Sequence, residues 1–306
     1  YTIINFQSLG SRNLQHFIVD FRDRNLANHS FNLSFRTKQT YMVNELRICW
    51  NKRYLIYDLA LRELQLRFQG SLMGKYWNIL HPVIVVVIYT LIFSRILGIR
   101  SNQSDSGSGM TYAAFLCAGL LPWNFFTELM QRGTGSFHEF AHLIKKISFP
   151  ILIPHLSMGL SICITFCISI AVYFCFLLAT QAQHLSNIVF LPFIVVLQAF
   201  FTLGLAMILG VVNVFFKDVQ QLLSIGLQLL FWATPIVYSA EAVPQKYKWI
   251  SELNPMSHFV ELYRFVFLGS NLPTKSCVIL CIVTPVIIFV GILGITRSKS
   301  NILDQI

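Results

Sequence analysis

A five-residue segment near the middle of the chain has the residue types and spacing of a zinc site. His138, Glu139 and His142 fit the pattern H-E-x-x-H. On a helix, positions i and i+4 put both imidazoles on one face, where they can bind Zn²⁺ while the glutamate acts as the general base of a metalloprotease. A catalytic zinc needs a third protein ligand, and His155, beyond a proline, is a poor candidate. Two hypotheses remain: zinc proteolysis, or an ordinary helix in a solvated loop.

The sequence contains no nucleotide-binding loop. The pattern G-x-x-x-x-G-K-[ST] is absent, since Gly74-Lys75 is followed by Tyr76 and has no glycine five positions earlier. If the chain takes part in ATP-driven transport, the ATPase is therefore another polypeptide. We expect no cofactor in this chain.

The composition decides the class of protein. Of the 306 residues, 55% are hydrophobic and 12% are charged, about half the usual charged share. Residues 147–216 contain no Lys, Arg, Asp or Glu, and a membrane-spanning helix needs roughly 20 apolar residues. These figures exclude a disordered chain, a disulfide scaffold and an ordinary soluble enzyme, and they predict an all-α polytopic membrane protein.

Uncharged windows predict six spans, at about residues 78–98, 111–131, 150–179, 187–212, 219–238 and 276–296. With the N-terminus inside, the inner segments carry 17 of the 23 Lys and Arg residues, so we expect both termini, including the tail 297–306, in the cytoplasm. The net charge of +10 then indicates a flank that faces anionic lipid, with no nucleic-acid partner.

Two segments outside the spans have informative patterns. Residues 1–50 form a polar N-terminal extension, and within 51–77 Tyr57, Leu61 and Leu64 share one helical face, which predicts an amphipathic helix at the membrane interface; an ordinary cytoplasmic helix is the alternative. Residues 239–275 are too apolar for a solvated loop. They predict short re-entrant helices split at Asn254-Pro255, with a small extracellular cap as the alternative.

Charge is almost missing from the predicted spans, which argues against secondary transport and against a channel with charged rings. Glu128 and Arg132, four residues apart, predict a local ion pair. A path lined by aromatic and uncharged polar groups remains, although most aromatics in membrane helices are packing or belt residues. The aromatic candidates for this path are Tyr89, Phe93, Trp123, Phe126, Phe231, Trp232 and Tyr238.

Several segments, in order, resemble one known family, the permease subunits of ABC-2 type polysaccharide exporters, which serve O-antigen, capsule and teichoic-acid export. The segments are RELQLRFQGSLMGKYWNILHPVIVVVIYTLIFSRILG, FLCAGLLPWNFF, LIKKISFPILIPHLS, FFKDVQQLL and TPIVYSAEAVPQKYKWISELNPMSHFVELYR. The chain departs from the family pattern at His81-Pro82, where Asn-Pro is usual, and at Lys217, where Arg is usual. The resemblance covers about residues 55–296.

The resemblance implies a half-transporter of the bacterial inner membrane that exports a lipid-linked polysaccharide. Two copies would work with two copies of a separate nucleotide-binding subunit, which would hold ATP and Mg²⁺. An ABC-2 exporter of lipid or drug is the alternative within transport. The implied sites are a pyrophosphate contact (Arg62, Arg67), an ATPase-coupling region (His138, His142, Lys145, Lys146, Phe149, Pro150) and an outer gate (Trp249, Asn254, Pro255, Tyr263, Arg264).

Overall fold

The computed structural model describes residues 45–67, 69–89, 91–92, 112–146, 149–179 and 185–306. The chain divides into two units, residues 1–47 and 48–306, and the helices below belong to the second unit. All regular structure in the described residues is helical, so the prediction of an all-α fold is confirmed. Phe93, the side chain of Lys146 and most of the predicted extension lie outside the described residues.

The helices are numbered here in chain order. They are α1 (Arg53–Leu66), α2 (Trp77–Tyr89), α3 (Tyr112–Glu139), α4 (Ala141–Lys146), α5 (Ile153–Ala179), α6 (Leu191–Phe215), α7 (Val219–Ala233), α8 (Lys248–Leu253), α9 (Pro255–Leu268), α10 (Thr274–Arg297) and α11 (Lys299–Gln305). Short 3-10 helices at Gly74–Tyr76, Leu185–Phe190, Ala240–Ala242 and Gln245–Tyr247 connect them.

Four helical segments of the described chain are long and apolar enough to cross a membrane: Tyr112–Lys145, Ile153–Ala179, Asn187–Phe215 and Thr274–Arg297. The helices in the first and fifth predicted spans are shorter, with 13 residues in α2 and 15 in α7. The helix α7 ends before its predicted limit at 238 because Pro235 forces Thr234 into an extended conformation. Conversely, α3 continues to Glu139, beyond the predicted end at 131.

The helix α1 buries one narrow face against the rest of the second unit. Ala60 is fully buried and Glu63 is nearly so, whereas Tyr57 is half exposed. The helix packs against α5 of the same chain, and the small side chain of Ala60 allows this close approach. The placement of this helix at the membrane interface stays a prediction, and its exposed Tyr57 lies on the face that would meet lipid there.

The helix α6 lies at the centre of the second unit and packs along both α3 and α10. Glycines bring α6 and α10 into backbone contact: a Cβ added at Gly204 would lie 2.8 Å from the backbone of Ile288, and one at Gly291 would lie 2.7 Å from the carbonyl oxygen of Gly204. Only glycine fits such an approach, which is a common way to join helices in lipid.

The helices α8 and α9 meet at Asn254-Pro255, where the sequence predicts a break. The Asn254 side chain accepts a hydrogen bond from the backbone N–H of Met256 at 3.0 Å, and Pro255 begins α9. Both features are favourable at a helix start. Nearly all of α9 from Met256 to Leu268 is buried, so this helix is part of the protein interior.

Candidate functional site

Four of the predicted path aromatics form one continuous cluster between α3 and α7. The Trp123 ring lies 5.6 Å from Phe126 and 5.5 Å from Phe231, between centroids, and Phe231 lies 5.3 Å from Trp232. Trp123 and Phe126 are buried, whereas the Trp232 side chain is 67% exposed. The cluster therefore runs from the packed interior to an exposed indole that a sugar ring could stack against.

The other aromatic candidates lie apart from this cluster or next to its exposed end. Tyr238 donates a hydrogen bond to the backbone carbonyl of Trp232 at 2.8 Å, which ties the segment after α7 to the end of that helix. Tyr89 is half-buried and packs against the hydrophobic core.

An apolar cavity of about 310 Å³ lies where α3, α6 and α7 meet α8 and α9. We call it the apolar cavity. Its lining includes the predicted gate residues Trp249, Asn254 and Pro255 together with Phe126 of the aromatic cluster. Asn254 donates from Nδ2 to Thr234 Oγ1 at 2.7 Å, so the start of α9 is fixed to the end of α7.

The last two predicted gate residues are buried anchors. Tyr263 donates to Gln198 Oε1 at 2.8 Å, and Gln198 in turn donates to the carbonyl of Pro122 at 2.8 Å, which joins α9, α6 and α3. Arg264 donates to the carbonyl of Ile236 at 2.9 Å, and its guanidinium carbon lies 3.6 Å from the ring centroid of Phe115. These contacts hold α9 in place from three sides.

A second polar cluster, which the sequence analysis missed, joins α9 to the start of α10. Ser276 Oγ lies 2.9 Å from His258 Nδ1 and donates to Glu261 Oε2 at 2.6 Å, while the His258 Nε2–H donates to the carbonyl of Glu252 at 2.9 Å. The i,i+3 spacing of His258 and Glu261 was the available signal; nothing local points to Ser276.

A cavity of about 520 Å³ lies between the end of α1 and helices α2, α3 and α5. We call it the charged cavity. Arg67 forms an ion pair with Glu128 there, and Arg132 pairs with Glu63 of α1 and lies 3.6 Å from Glu139. The predicted local pair of Glu128 with Arg132 was wrong, because both residues have partners on α1 or at the end of α3.

Burial disfavours the charged form of Glu63 in this cluster. Loss of solvent raises the pKa of its carboxyl above the ordinary value of 4.5, while the nearby charge of Arg132 opposes that rise. Of the two arginines predicted to contact pyrophosphate, Arg67 is engaged with Glu128 and Arg62 is exposed on α1.

The H-E-x-x-H segment lies at the junction of two helices, with Phe140 between them. The helix α3 ends at Glu139, and α4 begins at Ala141, so a break separates His138 from His142. His138 Nε2 lies 3.4 Å from the carbonyl of Asn213 on α6. His155 is fully buried against Ser136 and Phe137, and the described residues contain no group of three potential ligands for a metal.

The predicted coupling residues divide into an exposed and a packed set. His142 and Lys145 are exposed on α4. Phe149 is half-buried and packs against the hydrophobic core, and Pro150 is buried. The exposed members of this set are therefore on α4, and the coupling role of the set stays a prediction.

Four apolar helices long enough to cross a membrane, among the described residues, indicate a multi-pass membrane protein. A family model described as ABC-2 type transporter matches residues 54–268, which is more than half of the chain. The chain belongs to the ABC-2 type transporter family.

Similar curated proteins include polysaccharide export permeases. The chain is 30% identical over 259 residues to "O-antigen export system permease protein RfbA" of Klebsiella pneumoniae, covering 83% of this chain and 96% of that protein. It is 29% identical to a protein of the same name from Myxococcus xanthus, over 76% of this chain and 87% of that one. It is 26% identical to "Polysialic acid transport protein KpsM" of Escherichia coli, over 82% and 95%.

Proposed function

We propose that this chain is the permease subunit of an ABC exporter that moves a lipid-linked polysaccharide, of the O-antigen or capsule kind, across the bacterial inner membrane. The observation that carries this proposal is the full-length match to export permeases, which reaches 96% of the length of the Klebsiella protein. The exposed aromatic end at Trp232 suits this cargo, because sugar rings stack on aromatic faces while sliding past uncharged walls.

A homodimer would provide the complete path. One face of α7 carries Leu222, Ile225, Leu229 and Trp232, each at least half exposed, at spacings of three, four and three residues. A neighbouring stripe carries the polar Gln221 and Gln228. In a pair of chains, Leu222, Ile225 and Leu229 would meet the partner copy or lipid, while the glutamines and Trp232, at the end of the stripe, would face the glycan.

The proposed topology has six spans, with α2 and α7 supplying the two that are short in this structure. Both termini are placed in the cytoplasm, because 17 of 23 basic residues then lie inside. In this topology the helices α8 and α9 enter the membrane without crossing it. The burial of α9 supports this placement. On this topology, α4 faces the cytoplasm.

ATP hydrolysis on a separate subunit would drive export through α4. The sequence contains no phosphate-binding loop, and α4 presents the exposed residues His142 and Lys145. A short helix of this kind, attached to the end of the long α3, can pass a partner's movement to the path.

Deletion of the gene in its own bacterium tests the function. We expect surface polysaccharide to disappear and lipid-linked glycan to accumulate inside, with recovery when the chain is supplied again. A tagged chain should co-purify an ATPase, and replacing the P-loop lysine of that ATPase should reproduce the deletion. Normal surface glycan with altered lipid or drug export would instead indicate the other class of ABC-2 exporter and overturn the proposal.

A further inference from the structure

The two ends of the charged cavity differ in polarity, in the same way as the two ends of an amphiphilic molecule. Its charged residues Arg67, Glu128 and Arg132 come from the end of α1 and the later part of α3, whereas Val85 and Leu121 line it from the far part of α2 and the earlier part of α3. Leu121 and Arg132 are 11 positions apart, which is about 16 Å along a helix. One end therefore suits a charged headgroup and the other a hydrocarbon chain.

Two atoms of the cavity lining, Asn78 Oδ1 and Arg132 Nη1, are buried without a hydrogen-bond partner among the described residues, as are both carboxylate oxygens of the neighbouring Glu63. Buried polar groups are almost always paired, so an unpaired donor in a cavity wall indicates a missing acceptor. Arg132 Nη1 is such a donor. An oxygen of a phosphate group is the acceptor that an arginine fork binds best.

The arginines of this cavity are already countered by carboxylates. Arg132 pairs with the buried Glu63 and lies near Glu139, whereas Arg67 has one carboxylate partner, Glu128. The Glu128 side chain is 34% exposed and that of Glu63 is 10% exposed. Glu128 can therefore turn toward solvent at lower cost, which makes Arg67 the arginine most easily released to a ligand.

We infer that the charged cavity binds the phosphate-bearing headgroup of a lipid, and that Glu128 is an internal competitor that holds Arg67 until the phosphate displaces it. The inference rests on the proposed function, since it gives the exporter a resting state in which its phosphate site is closed by its own carboxylate. When a phosphate takes Arg67, Glu128 is freed on α3, the helix that leads to α4.

Binding to the purified full chain in neutral-lipid nanodiscs tests this inference. The probes are a fluorescent polyprenyl pyrophosphate and, in a second arm, phosphatidylglycerol as its competitor. We expect Glu128→Gln to tighten probe binding at least about fivefold, the factor that corresponds to an ion pair of roughly 1 kcal/mol. Arg67→Gln should weaken it by a similar factor, and the double variant should resemble Arg67→Gln.

Glu241→Gln is the matched control, because Glu241 is an exposed carboxylate between α7 and α8 that does not line the charged cavity. It should leave probe binding at the wild-type level. Competition by phosphatidylglycerol would identify ordinary phospholipid as the ligand, and its failure would identify the polyprenyl lipid; both results support a lipid-phosphate site. Unchanged or weaker binding in Glu128→Gln would overturn the inference while leaving the proposed export function intact, since that function is tested separately by surface glycan in the deletion strain.

Discussion

The charged cavity and the apolar cavity, both bordered by α3, are held together by different kinds of interaction. Ion pairs join α1 to α3 at the charged cavity, whereas α9 is joined to its neighbours by hydrogen bonds without a carboxylate partner and by ring contacts, including those of Arg264. Neutral networks have one satisfied arrangement and are rigid, while ion pairs can exchange partners for another charge. We therefore call the ion-paired contacts between α1 and α3 the adjustable region, and the hydrogen-bonded contacts of α9 the fixed region.

Removing Arg132 should have the largest effect on stability, because the buried carboxylate of Glu63 would lose its ion-pair partner. We expect Arg132→Met to lower the free energy of unfolding by about 3 kcal/mol, measured as a loss of thermal stability in detergent. Adding Glu63→Gln to that variant should restore part of the loss. No recovery in the double variant would mean that Glu63 is not the group that Arg132 stabilises.

The fixed region should respond less strongly to the loss of one hydroxyl. Tyr263→Phe leaves Gln198 Oε1 without its donor and should cost about 1–2 kcal/mol in thermal unfolding. The exposed Tyr247 offers the control, since Tyr247→Phe removes a hydroxyl without such a buried partner. Equal effects of the two substitutions would contradict the rigid, satisfied network described for α9.

The stability of the adjustable region should depend on pH through the titration of Glu63. Because burial raises the pKa of its carboxyl above 4.5, the folded chain holds this proton more tightly than the unfolded chain, and stability falls as the pH rises from about 4.5 through the folded pKa. The Glu63→Gln variant has no carboxyl group at this site, so its thermal stability does not change with this titration. The advantage of the variant over wild type should therefore grow with pH in that range, whereas Glu241→Gln, at an exposed site, should track wild type.

Charge reversal on α4 should leave stability nearly unchanged, within about 0.5 kcal/mol, because the site is exposed. On the proposed function, Lys145→Glu should reduce co-purification of the ATPase, and Lys246→Glu, exposed between α7 and α8, should not. If both variants co-purify wild-type amounts of the ATPase, the proposal that α4 couples the two subunits is wrong.

Sequence reasoning succeeded where a local pattern determines local structure. Long uncharged runs indicate α5, α6 and α10, and the Asn254-Pro255 pair marks the boundary between α8 and α9 through a side-chain cap and a missing N–H. These features depend on residues only a few positions apart.

The contacts of the charged cavity could not be found in this way. Arg67 and Glu128 are 61 positions apart, and the local i,i+4 rule favoured a different partner for Glu128. The helix break between His138 and His142 was also hidden, because the H-E-x-x-H spacing presupposes one helix. Which distant charges meet depends on how α1 packs on α5, and amphipathic spacing does not specify that neighbour.

The length of α3 has a mechanical consequence. Its 28 residues form a rod about 42 Å long, with Gly119 packed beside Arg264 of α9 near one end and His138 near the other. If the contacts of α9 at Gly119 act as a pivot, the 19 residues from there to His138 form an arm of about 28 Å, and a tilt of about 5° moves its far end by roughly 2–3 Å. Such a lever would convert a small angular change into a displacement comparable to the length of an ion pair.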